Sequence, residues 1–263
     1  MNLKLEGKRA FISGSTQGIG YAIAKQLLNE KAEVIINGRH EEKTSLAVKK
    51  LKDEFPDALV SGMACDFEKK DEVAALLNNL NHIDILINNV GIFELKDFDN
   101  LEDEDWYRIF EVNVMSSIRL SKKLLSQMLE KKSGRIVFIS SESGVNIPAN
   151  MIHYGMTKAA MAAVSNGLSK LTTGTEVTVN TILGGPTYSD GVASTIEHIA
   201  SLQNIETEQM KSMIIQQTNP HSLLQRFIDP EEIASLAVYL ASPLSIATNG
   251  SCLRADGGLL KTI

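Results

Sequence analysis

Three segments in immediate succession constrain this chain more than any other feature. An apolar run, Arg9–Ser13 (RAFIS), leads into Gly14–Gly20 (GSTQGIG), and a stretch with apolar residues at helical spacing, Gly18–Glu30, follows without a break. Strand, glycine turn and helix in that order converge backbone N–H groups and the positive end of a helix on one point. Glycines serve where the chain turns sharply and where a ligand approaches the backbone. That point suits a pyrophosphate. Gly14, Ser15, Gln17, Gly18, Ile19 and Gly20 are therefore candidate cofactor-binding residues, although the GxxxGxG spacing differs from the commoner GxGxxG.

The alternation continues along the chain. Apolar runs at Glu33–Asn37, Leu59–Ala64, Ile83–Asn88, Arg135–Ser140 and Glu176–Leu183, with a seventh around Leu253, read as strands. Glu41–Phe55, Lys69–Leu80, Asp103–Glu130 and Tyr154–Leu171 read as helices. Near-continuous apolar strands alternating with helices predict an α/β fold, a doubly wound seven-stranded parallel sheet covered on both faces. A length of 263 residues fits one domain over 1–263. Residues 187–226 interrupt the pattern: they are polar and carry no strand signal. Ser194–Gln203 and Glu206–Gln217 within them look helical. An excursion this long is more often functional than passive, and it reads as a substrate lid inside the single domain.

Charge and composition narrow the function classes. Lys plus Arg number 26 against 32 Asp plus Glu, a net charge of −6. A mildly acidic chain is a poor general nucleic-acid binder. No stretch approaches the roughly 20 apolar residues of a membrane span, and the first ten residues lack a signal-peptide core. The expectation is a cytoplasmic protein with no membrane or nucleic-acid partner. Cys65 and Cys252 form no ligand cluster, so no metal site is expected.

Two further groups point to chemistry. Tyr154 and Lys158 are spaced to share one helix face at about 6 Å. An ammonium beside a phenol is expected to lower the tyrosine pKa and to suit proton exchange with an alcohol or carbonyl oxygen. Ser141, at the end of the fifth strand, could hydrogen-bond the same oxygen. At the end of the second strand, Asn37-Gly38-Arg39 lacks the carboxylate that would pair with the ribose hydroxyls of NAD. Arg39 could instead grip a 2′-phosphate, which favours NADP (NADPH) and leaves NAD possible. Glu41 and Glu42 could compete for it.

These landmarks resemble, in order and over essentially the whole chain, the short-chain dehydrogenase/reductases. The matching residues are Gly14–Gly20, Asp66, Asn88-Asn89-Val90-Gly91, Asn113, Ser141, Tyr154, Lys158, Asn180 and Asp256-Gly257-Gly258. The likeness extends to 3-oxoacyl-[acyl-carrier-protein] reductase-like members. It implies a Rossmann-type fold and a nicotinamide cofactor. Tyr154 would be the general acid in reduction, Lys158 would lower its pKa and hold the nicotinamide ribose, and Ser141 would polarise the carbonyl. Asn113 would hold a relay water. Asp66 would contact the adenine with Phe67 beside it, Asn89 and Gly91 would line the cleft, and Thr187 would lie at the carboxamide. The resemblance also implies a homotetramer or homodimer built on the long helices.

Three departures stand out. Val90 replaces the family's alanine, Gly184-Gly185 replaces its Pro-Gly, and Gln17 stands where NADP enzymes often carry a cation. The expected activity is NADPH-dependent reduction of a 3-oxoacyl thioester or small ketone. The alternative is a catalytically silent dinucleotide-binding sensor or scaffold. Glu142 and His153, neighbours of Ser141 and Tyr154, read more simply as supporting or packing residues than as substrate contacts.

Overall fold

The computed structural model describes residues 2–261. Its strands are β1 (Arg9–Ile12), β2 (Glu33–Gly38), β3 (Val60–Ala64), β4 (Ile85–Asn88), β5 (Ser133–Ser141), β6 (Glu176–Gly184) and β7 (Cys252–Ala255). They form one sheet in the order β3-β2-β1-β4-β5-β6-β7, with every pairing parallel. The helices are α1 (Gly18–Asn29), α2 (Glu41–Glu54), α3 (Lys70–Asn79), α4 (Asp103–Phe110), α5 (Ser116–Lys131), α6 (Ile152–Ser169), α7 (Asp190–Gln203), α8 (Thr207–Thr218) and α9 (Pro230–Ala241). This is the doubly wound α/β domain that the alternation predicts. The strand order reverses between β1 and β4, so a cleft opens at their carboxyl ends.

Strand side chains alternate between two cores, as a period of two requires. Ala10, Ile12, Ile36 and Ile87 face α1, α2 and α9, where Ile23, Leu27, Leu51, Ile233 and Ala237 meet them. Phe11, Leu86 and Phe138 face the other side, against Val73, Leu76, Leu120, Leu124 and Met161 of α3, α5 and α6. With both faces covered, the sheet leaves only its strand ends and edges for a ligand.

The segment read as one helix over Asp103–Glu130 is helical throughout but carries a π turn. This turn, Glu111–Met115, separates α4 from α5, and the Ser116 N–H donates to the Glu111 carbonyl across it. The wider turn buries Val112, Asn113 and Val114 together. π turns are frequent at functional sites.

Residues 187–226 hold α7 and α8, which pack Ile196, Ala200, Met210 and Ile215 on each other and on Phe227. The ends of this excursion are tied together. The Tyr188 N–H donates to the Ile228 carbonyl at 2.9 Å, and the Ile228 N–H to the Pro186 carbonyl at 2.8 Å.

Candidate active site

The glycine loop is shaped by asparagines on both sides. The Gly14 N–H donates to Asn37 Oδ1 at 3.0 Å, and Asn37 Nδ2 donates to the Met63 carbonyl. Asn89 Nδ2 donates to the carbonyls of Ser13 and Gly14 at 3.1 and 2.6 Å. Gly14 has φ +61°, and a Cβ there would lie 2.9 Å from Val90 Cα, so no other residue fits. Asn37 drew notice in the sequence only for not being acidic, yet it braces the loop to β3.

Ser15 departs from its expected role. It is fully buried, its hydroxyl donates to the Ile12 carbonyl at 2.7 Å, and its oxygen accepts the Asn37 N–H at 2.9 Å. It holds β1 to β2 and has nothing left for a ligand. Ile19 packs on the α1 core, Gly20 lies under Asn89, and Gln17 is exposed at the start of α1. At that helix start the Gly18 N–H donates to Asp190 Oδ2 at 2.6 Å. The loop thus already presents a backbone donor to an anionic oxygen, as a phosphate cradle must.

On the far side of the loop, Arg39 and His40 line a cleft of about 650 Å³ with Met63, Ala64, Glu72 and Leu76. Arg39 Nε donates to His40 Nε2 at 3.3 Å, and no carboxylate pairs with Arg39 among the described residues. Glu41 and Glu42 do not capture it. Asp66 lies at the end of β3, partly buried, with its N–H donating to Glu72 Oε2. The Phe67 ring is buried with Cys65, Val73 and Leu76 in the core, where an aromatic ring leaves water.

The carboxyl end of β5 and the start of α6 meet through glycine notches. A Cβ on Gly144 would lie 2.9 Å from Ala159 N, and one on Gly155 would lie 2.7 Å from the Ser143 carbonyl. Backbone therefore lies on backbone, which brings Ser141 to Tyr154. The Ser143 N–H donates to Ser141 Oγ at 3.1 Å, so the Ser141 proton remains available to a different acceptor. Ser140 Oγ donates to the Lys158 carbonyl at 2.8 Å and fixes α6 one turn further on.

Lys158 is buried, with Nζ 5.5 Å from the Tyr154 ring centre and donating to the Ile139 carbonyl. A Cβ on Gly91 would lie 3.3 Å from Nζ, so Gly91 packs closely against the ammonium. Asn113 commits its whole side chain. Nδ2 donates to the Ile92 carbonyl and to Thr157 Oγ1, and Oδ1 accepts the Ile92 N–H at 2.8 Å. A relay water at this residue would have to use its main chain. Thr157, which sequence reasoning missed, is fully buried and joins the π turn to α6. His153 turns away from the cleft and packs edge-on to Trp106 of α4. Thr187 Oγ1 donates to the Gly185 carbonyl where β6 gives way to the excursion.

Burial pushes the Tyr154 phenol up to about 12; the Ser141 hydrogen bond pulls it down less, and the nearby Glu142 carboxyl pushes it further up. Burial alone brings the Lys158 ammonium down to about 8. For Tyr154, burial outweighs the lowering influence of Ser141. Glu142 is raised too, mainly by burial.

Comparison with known proteins now bears on this geometry. The short chain dehydrogenase family profile matches residues 8–200. This chain is a short-chain dehydrogenase. Across their full lengths it is 42% identical to the protein named uncharacterized oxidoreductase YvaG of Bacillus subtilis (strain 168). It is 31% identical to the 3-oxoacyl-[acyl-carrier-protein] reductase FabG of Vibrio cholerae, over 98% of this chain and 99% of that one. Among solved structures, L-sorbose reductase from Gluconobacter frateurii, complexed with NADPH and L-sorbose, superposes with a TM-score of 0.93 at 28% identity, covering all of both chains. The short-chain dehydrogenase here is a Rossmann-type NAD(P)-dependent oxidoreductase that acts on CH–OH and C=O groups. Its glycine cradle, with an anionic oxygen on the Gly18 amide, fits the pyrophosphate of such a dinucleotide.

Proposed function

We propose that this oxidoreductase uses NADPH to reduce a carbonyl, a 3-oxoacyl thioester or a small ketone, to a secondary alcohol. The observation that carries the reading is the placing of Tyr154 and Lys158 on α6, with Lys158 Nζ 5.5 Å from the Tyr154 ring centre, against the carboxyl end of β5 that bears Ser141. The Tyr154 phenol is then a donor to a carbonyl oxygen. Ser141 accepts the Ser143 N–H and can turn its own proton to the same oxygen. Both donors stabilise charge as it develops on that oxygen. Lys158 and Asn113 hold the wall behind Tyr154. When bound, the reduced nicotinamide supplies the hydride.

The NADPH preference is supported by Arg39, exposed at the end of β2 with no carboxylate partner among the described residues. In this reading Asp66 and Gly91 border the dinucleotide, Thr187 lies near the carboxamide, and residues 187–226 cover the substrate. The named activities of the FabG relative and of L-sorbose reductase are both reductions. Assembly as a homodimer or homotetramer through α4, α5 and α6 belongs to the same proposal. Asn113, Ser141, Tyr154 and Lys158 are all present, and Thr157 links the Asn113 amide to the Tyr154 carbonyl, which leaves the silent-scaffold alternative without a supporting observation.

The test is a paired titration with NADPH and NADH on wild type and Arg39→Ala, followed by NADPH oxidation with acetoacetyl thioester and with simple ketones. The expected result is NADPH binding at least about tenfold tighter, a gap of about 1.4 kcal/mol that Arg39→Ala erases. Equal or tighter NADH binding overturns the cofactor assignment.

A further inference from the structure

The excursion that starts after β6 returns to the phosphate loop. The bond from the Gly18 N–H to Asp190 Oδ2 is 2.6 Å long and joins residues 172 apart in sequence, so tertiary structure alone creates it. A Cβ on Gly18 would lie 3.3 Å from Ser189 Cβ, so the first residues of α7 sit directly on the start of α1. The first turn of α1 holds no acidic residue, and Gln17 gives it no side-chain cap. Asp190 supplies the anion that this helix end lacks. Gly191, next in the chain, has open space around it.

Resting on the reading of Gly14–Gly20 as a pyrophosphate cradle, we propose that Asp190 is an internal anion on the phosphate loop, displaced by the pyrophosphate of the incoming dinucleotide. A carboxylate and a phosphate compete for the same donor, and two anions at hydrogen-bond distance repel each other. Cofactor entry therefore breaks the Gly18–Asp190 bond and lifts Ser189 and Asp190 off α1. The latch lowers cofactor affinity and slows association, and it ties the position of the excursion to the state of the phosphate loop.

The experiment titrates NADPH, followed by its own fluorescence, into wild type, Asp190→Asn and Asp190→Ala, with stopped-flow association rates. The asparagine keeps the size of the side chain at the start of α7 and removes its charge. Both variants are expected to bind NADPH roughly three- to tenfold tighter, with the gain in the association rate. Limited proteolysis of the cofactor-free proteins gives a second readout: cleavage within 187–226 is expected to be faster in both variants. Unchanged or weaker NADPH binding by both variants overturns the latch while leaving the dinucleotide reading intact. A wild type that binds neither NADPH nor NADH overturns that reading and the latch with it.

Discussion

Lys158 Nζ donates to the main-chain oxygen of Ile139 at 3.1 Å, and burial is the sole cause that moves its pKa, down to about 8. In the unfolded chain the same ammonium keeps its proton to about 10.5. Folding below pH 8 thus buries a charge without a countercharge, a cost that fades as pH rises from 8 to 10.5. Lys158→Met is expected to raise unfolding stability at pH 7 by on the order of 2–3 kcal/mol, and by much less at pH 10.5. It should abolish reduction at the same time. Urea unfolding at the two pH values checks this, and a destabilised variant at pH 7 contradicts it.

Thr157 receives Asn113 Nδ2 at 3.0 Å and donates to the Tyr154 carbonyl at 2.7 Å. Thr157→Val leaves the buried Asn113 amide short of one acceptor. The expected loss is about 1–3 kcal/mol of stability, with kcat falling more than NADPH affinity. Thermal unfolding and steady-state kinetics on one preparation separate the two effects.

Gly155 and Gly167 offer a comparison within α6. A Cβ at Gly155 meets the Ser143 carbonyl at 2.7 Å, whereas one at Gly167 meets nothing within 4 Å. Gly155→Ala is expected to cost about 1–3 kcal/mol and to depress kcat by pushing Ser141 off Tyr154. Gly167→Ala should stabilise by about 0.5–1 kcal/mol with activity unchanged. Chemical denaturation curves for the pair decide the matter; equal effects would mean that the notch does not set the site.

Much of this molecule is written in local pattern. The apolar runs at Arg9–Ser13 and Glu33–Asn37 have too few polar residues for any place but a covered sheet, and they become β1 and β2. What the pattern hides depends on contacts between distant segments. The π turn at Glu111–Met115 has no glycine or proline to announce it; the reciprocal bonds of Asn113 with Ile92 accompany its wider register. Ser15 and Phe67 sit beside positions read as cofactor-facing, but their side chains turn inward, toward partners in β1, β2 and α3. The upward shift of the Tyr154 phenol comes first from burial, and burial is a property of the folded whole. Asp190 could not be connected with Gly18 at all until the excursion was seen to fold back.

Tyr154 is the proton donor of the proposed reaction. The direct measurement is single-turnover oxidation of NADPH by Tyr154→Phe and wild type, with a ketone that the wild type reduces. The phenylalanine variant is expected to bind NADPH within about twofold of wild type and to reduce the ketone about 10²–10⁴-fold more slowly. A variant that binds NADPH and reduces the ketone at the wild-type rate would contradict the mechanism.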